Sequence, residues 1–152
     1  MACAKCGLDK PAEDFIAKGQ RHSALCRACR ERQNTAMKKS LDSNPSARAG
    51  LYAQNRLNKA IHTGRASAAL VALIGCTLPF FRAHLESLWA PGMSYHNYGR
   101  GPGTWQLDHI VPRSSWEDLG DETQAKAAFH WSNLQPLWAT QNVKAGCRLK
   151  SQ

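Results

Sequence analysis

Cys3-Ala4-Lys5-Cys6 and Cys26-Arg27-Ala28-Cys29 form a C-x2-C-x19-C-x2-C pattern, and that spacing decides how the first 30 residues can fold. Two residues between cysteines let one tight turn aim both sulfurs at a single point, and two such turns supply the four thiolates of a tetrahedral Zn2+ site. The competing readings are two disulfides, cysteines that merely pack, or a redox-active C-x-x-C pair. Lys5, Asp9 and Lys10 interrupt any apolar run after Met1, so no secretory segment is expected and thiols should stay reduced, which favours zinc over disulfides. No strand pattern precedes either pair, which speaks against the redox reading. Phe15, Ile16 and Leu25 are the few apolar side chains able to cover the metal, so the ion rather than a core should hold residues 1–30 together. Cys76 and Cys147 stand alone and read as small buried apolar groups.

Charge constrains the partner. Lys and Arg outnumber Asp and Glu by 20 to 11, a formal +9, which predicts salt-sensitive association with a polyanion: nucleic acid first, an acidic membrane surface second. Between Arg21 and Arg65 ten cations face only Glu31 and Asp42, so +8 of that charge lies in one stretch. A polar helix is expected over Ala28 to Leu41, interrupted by Asn44-Pro45-Ser46. A second runs from Ser46 to His62, with Ala49, Ala53, Leu57 and Ile61 as its apolar stripe and Gly64 as its C-terminal cap. Residues 31–65 thus read as a basic helical linker contacting phosphate without reading sequence, against the plainer alternative of a solvated basic face. The most apolar run, Ala66 to Cys76, is too short to span a bilayer, so a soluble cytoplasmic protein is expected.

Residues 66–152 carry the remaining signals. Thr77 reads as an N-cap with Pro79 in the first turn of a helix whose Leu78, Phe81, Leu85 and Leu88 or Trp89 face a core. The stretch from Gly99 to Thr104 is glycine-rich but has neither the third glycine of a dinucleotide motif nor the Lys-Ser/Thr of a P-loop, so it reads as a loop. Trp105 to Val111 is strand-like and stops at Pro112. Neighbours on a strand point to opposite faces, so Asp108 and His109 can serve one site only where the strand gives way to irregular backbone. Glu122 to Phe129 reads as a helical insertion, Ser132 to Trp138 as a second strand, and Thr140 as the cap of a helix carrying Asn142 and Lys144 and ending at Gly146.

Asp108-His109-Ile110-Val111-Pro112, Asn133-Leu134-Gln135-Pro136-Leu137 and Asn142 together resemble the HNH endonucleases. Gly92 to Gly99, Trp105 to His109 and Phe129 to Trp138 are similar to small HNH proteins of bacteriophages, some of which also carry a leading Cys-x-x-Cys module. The resemblance covers Ile74 to Gly146 and implies a ββα-metal (His-Me finger) catalytic domain. The expected fold is therefore α+β: a small zinc-ribbon-like module over 1–30, a helical basic middle over 31–65 and an HNH domain over 66–152. One departure is Asn142, where the family name calls for a last His; it tilts the metal away from zinc.

The chemistry of the side chains agrees with the resemblance. Asp108 and Asn142 offer hard oxygen ligands, too few to enclose an ion, which suits Mg2+ or Mn2+ completed by water and phosphate. His109 is the expected general base, and by family analogy Asn133 orients the segment bearing it. Arg113, His130 and Lys144 are candidate phosphate contacts, with His130 equally able to brace the second strand. The expected activity is hydrolysis of phosphodiester bonds in double-stranded DNA, leaving a 5′-phosphate and a 3′-hydroxyl. The rival functions are a non-catalytic zinc-stabilised DNA-binding protein and an accessory of phage packaging machinery. Target sequence, strand preference and oligomeric state are not written in any motif.

Overall fold

In a computed structural model of the chain, residues 1–18 and 21–142 are described; the expectations placed on Lys144, Gly146 and Cys147 lie outside them. The chain is mixed α and β, with two separate two-stranded antiparallel sheets, and divides into two units, Met1–Pro45 and Ser46–Gln152.

In the first unit, β1 (Phe15–Lys18) and β2 (Arg21–Cys26) form a hairpin in which Phe15 lies opposite Cys26. The hairpin occupies the interval between the two cysteine pairs, where no strand was expected from sequence. Helix α1 (Arg27–Asp42) follows directly, one residue longer at each end than its polar pattern suggested, and Cys29 is its buried residue. A helix this polar gains little from packing, so its anchorage is the cysteine at its first turn.

The second unit is built around one apolar core. Helix α2 (Pro45–Thr63) buries Gly50, Ala53, Leu57, Ala60 and Ile61, whereas Ala49 is only half-buried. Helix α1 falls in the first unit, while the amphipathic face of α2 finds its apolar partners in the second. Gly64, at φ 67°, closes α2 by donating its N–H to the Ala60 carbonyl at 2.9 Å. Helix α3 (Ala68–Ile74) is capped by Ser67, whose side chain accepts from the Leu70 N–H, and α4 (Leu78–Ser87) is capped by Thr77 with Pro79 in its first turn. The α4 stripe runs Leu78, Phe81, Leu85 and then Trp89, which packs on the core; Leu88 is 48% exposed.

Strand β3 (Trp105–His109) pairs with β4 (Leu134–Trp138), from Trp105 opposite Trp138 to His109 opposite Leu134. Between them lies α5 (Glu122–Phe129), with the bounds its sequence pattern predicts. Both strands are shorter than expected. The first stops two residues before Val111, and the second begins after Trp131–Asn133 has formed a 3-10 turn. Residue 139 is already helical, so Thr140 lies inside the following helix rather than capping it. Trp105, Phe81, Phe129, Leu57, Ile61, Leu70, Ile74, Leu85 and Leu134 are the large side chains sealed in this core. No single helix among the described residues is long and apolar enough to cross a membrane; α3 and α4 pass such a test only as a bent pair, and their apolar residues are committed to the core.

Candidate functional site

In the first unit the ligand atoms of Cys3, Cys6, Cys26 and Cys29 all lie within 4.8 Å of one another. A tetrahedral site with Zn–S bonds of ~2.3 Å needs sulfurs ~3.8 Å apart, so the cluster is close to that size. All four are free thiols; Cys3, Cys26 and Cys29 are buried under Phe15, with Leu25 at the edge. Ile16, expected to help cover them, is not part of that cluster. Backbone N–H groups of Cys26, Cys6 and Lys5 pull the Cys3 thiol down to about 5, while the hydrogen bond with Cys26, burial and the other sulfurs push Cys29 up to about 12. A cation among the sulfurs would relieve the crowding that holds the Cys29 thiol up. This cluster can hold a structural metal such as Zn2+.

The second unit has a cleft of about 880 Å3, lined by Asp108, His109, Arg113 and Asn142 among others. The elements explain how these meet. Gln106 and Asp108 are two apart on β3 and share a face; Asp108 Oδ2 accepts from Gln135 Nε2, its cross-strand partner, at 3.0 Å. Asn142, on the helix after β4, donates Nδ2 to Gln106 Oε1 at 3.1 Å, which makes Oδ1 the atom a cation would take. One carboxylate and one amide oxygen thus line the same cleft.

His109 is the last residue of β3, so it reaches the same cleft as Asp108 although the two leave opposite faces of the strand. Its ring meets Phe129 edge-on at 5.0 Å, and its buried Nε2 has no hydrogen-bond partner among the described residues. Burial, and then the charge of Arg113, hold its pKa down at about 4, so the ring is neutral at pH 7. Arg113 itself donates to the Gly50 carbonyl at 3.2 Å, and burial lowers its pKa as well.

Asn133 does not line the cleft; it fixes the backbone leaving it. Its carbonyl accepts from the Ile110 N–H at 2.9 Å, its Oδ1 accepts from the Val111 N–H at 2.8 Å, and its Nδ2 donates to the carbonyls of Val111 at 3.2 Å and Ala128 at 2.8 Å. One side chain thereby ties the exit of β3, the end of α5 and the start of β4. His130 lies elsewhere, with Nδ1 at 2.8 Å from Ser132 Oγ and its ring against Gly75, where an added Cβ would sit 2.7 Å from the imidazole. At φ 74° that position suits glycine twice over, and His130 is a brace rather than a lining residue of the cleft. Lys144 is outside the described residues.

Sequence reasoning missed one wall of the cleft, formed by Gln54, Asn58 and His62 of α2 and by Tyr98. Asn58 Oδ1 accepts from the Tyr98 hydroxyl at 2.6 Å and from Gln54 Nε2 at 2.9 Å. The available signal was the four-residue spacing of three polar side chains beside the apolar stripe of α2.

No family model and no solved structure matches the chain. Two uncharacterized proteins of Acanthamoeba polyphaga mimivirus are similar to it. One is 32% identical over 113 residues, 74% of this chain and 48% of that protein; the other is 30% identical over 89 residues, 59% of this chain and 37% of that protein. The chain spans half or less of the length of these relatives.

Proposed function

We propose that this chain is a metal-dependent DNA endonuclease of the HNH type, with Zn2+ as a structural metal in the first unit and Mg2+ or Mn2+ at the cleft of the second. The observation that carries this reading is the meeting of Asp108, His109 and Asn142 on one cleft, with Asn133 clamping the strand exit that aims His109. Two strands separated by an insertion, with a helix beginning after the second, support the ββα reading.

A divalent cation bound by Asp108 and Asn142 would stabilise the charge developing on the phosphate and the leaving 3′ oxygen. The remaining work falls to the chain's own groups. His109, kept neutral by burial, accepts a proton from water. A pKa of about 4 makes a weak base, and an entering phosphate, being anionic, raises it toward the working pH. Gln135 fixes one Asp108 oxygen, Gln106 fixes the Asn142 amide, and Arg113 supplies positive charge for the phosphate. The relatives are viral proteins, which suits a viral setting without naming a substrate.

The test is supercoiled plasmid incubated with the full chain in Mg2+, Mn2+, Zn2+ or EDTA. The expected result is nicked or linear product with Mg2+ or Mn2+ and none with EDTA; intact plasmid under every condition would leave a DNA-binding protein without nuclease activity.

A further inference from the structure

Helix α2 has three distinct surfaces. At roughly 100° per residue, its buried residues Ala53, Leu57 and Ile61 point one way, while Gln54, Asn58 and His62 line the candidate catalytic cleft on one flank. On the other flank, roughly 130° around the helix, Arg56, Lys59 and Thr63 line a second cleft of about 750 Å3, completed by Arg65, Ser67 and Leu70. Three cations and no carboxylate line this second cleft. Arg56 is half-buried, and its Nη2 donates to Ser67 Oγ at 2.8 Å, so one guanidinium is held in place before any ligand arrives. Helix α2 contains no acidic residue, and its outward stripe includes Tyr52, 71% exposed.

We propose that this basic cleft binds the phosphodiester backbone of duplex DNA, on the flank of α2 opposite the candidate catalytic cleft. An α-helix is ~10–12 Å across and a major groove is ~12 Å wide, so a ridge of this size suits a groove with one backbone strand on either side. The three cations are graded for that role. Arg56 is pre-positioned and can present a planar fork to phosphate oxygens, whereas Lys59 and Arg65 are exposed point contacts at the rim. The inference takes its polyanion from the DNA-directed reading above, but it concerns binding and not cleavage.

The test measures affinity of the full zinc-loaded chain for a fluorescent duplex oligonucleotide, with neither chelator nor added Mg2+ or Mn2+, as a function of salt. Each phosphate contact contributes about 0.9 to the slope of log K against log salt, so Arg56→Gln/Lys59→Gln/Arg65→Gln should make it shallower by about 2.7. The double variant Lys59→Gln/Arg65→Gln leaves the Arg56–Ser67 hydrogen bond intact, guards against loss of folding, and should make it shallower by about 1.8. An unchanged slope in the folded double and triple variants would overturn the inference, as would a loss seen with anionic vesicles and not with duplex. Because the readout needs no added divalent metal, a shallower slope beside an inactive wild-type protein would sink the nuclease reading alone, and active protein with an unchanged slope would sink this inference alone.

Discussion

Burial holds the His109 pKa at about 4 against ~6.5 for a free imidazole, so the unfolded chain takes up this proton first as pH falls. The protein should lose stability as pH drops through the interval between those values, with no further loss from this group below it. Comparing the thermal midpoint of wild type and His109→Gln from pH 7 to pH 4 checks this: the substitution should flatten the acid limb, and parallel curves would contradict the burial of a neutral ring. Asn133→Ala leaves the Val111 N–H and the carbonyls of Val111 and Ala128 without their partner. A loss of about 1–3 kcal/mol in urea unfolding is expected, together with weakened cleavage that substrate saturation does not restore. The resemblance to the HNH motif draws attention to Asp108, His109, Asn133 and Asn142; Asp108, His109 and Asn142 line one cleft, and Asn133 sits in the turn before β4. Gln106, Gln135 and Asn58 were not legible in the sequence, since cross-strand register and the lie of α2 decide which side chains they meet.

Among the elements, helices with strong caps were read well and the strands beside the cysteine cluster were not. Thr77 with Pro79, and Asp121 before Glu122–Phe129, mark their helices locally. Among the described side chains of the β1–β2 hairpin, Phe15 and Cys26 are the buried apolar ones, and little alternation betrays the strands; the four sulfurs converge beside it. Chelation should therefore unfold the first unit selectively. Protein purified without chelator is expected to carry one Zn2+ per chain by elemental analysis, and strong chelator should abolish the hairpin amide signals while those of β3 and β4 persist. Cys26→Ser should do the same without chelator, because three thiolates leave the tetrahedral shell incomplete. Retention of the hairpin in metal-free protein would show that a core, not an ion, holds it.

For the molecule as a whole, the division between Pro45 and Ser46 changes what a truncation can mean. The charge pattern invites deletion through Arg65 as a way to remove phosphate contacts while sparing the Asp108 and His109 site. That deletion also strips Leu57, Ala60 and Ile61, each 1% exposed or less, from the core of the second unit. A chain lacking residues 1–45 should fold cooperatively and keep the cleft, whereas one lacking 1–65 should not, because burying a Leu or Ile side chain contributes about 1.5–3 kcal/mol and α2 supplies several. Circular dichroism melts of the two truncations separate these outcomes. If His109 is the base of a DNA-cleaving site whose binding is supplied by other groups, removing its imidazole should stop the chemistry and spare the affinity. Single-turnover cleavage and duplex affinity measured side by side for wild type and His109→Ala, in Mg2+ and with protein saturating the DNA, separate the two. Affinity should stay within a few-fold of wild type while the cleavage rate falls by at least ~100-fold; wild-type cleavage in that variant would rule His109 out as the base.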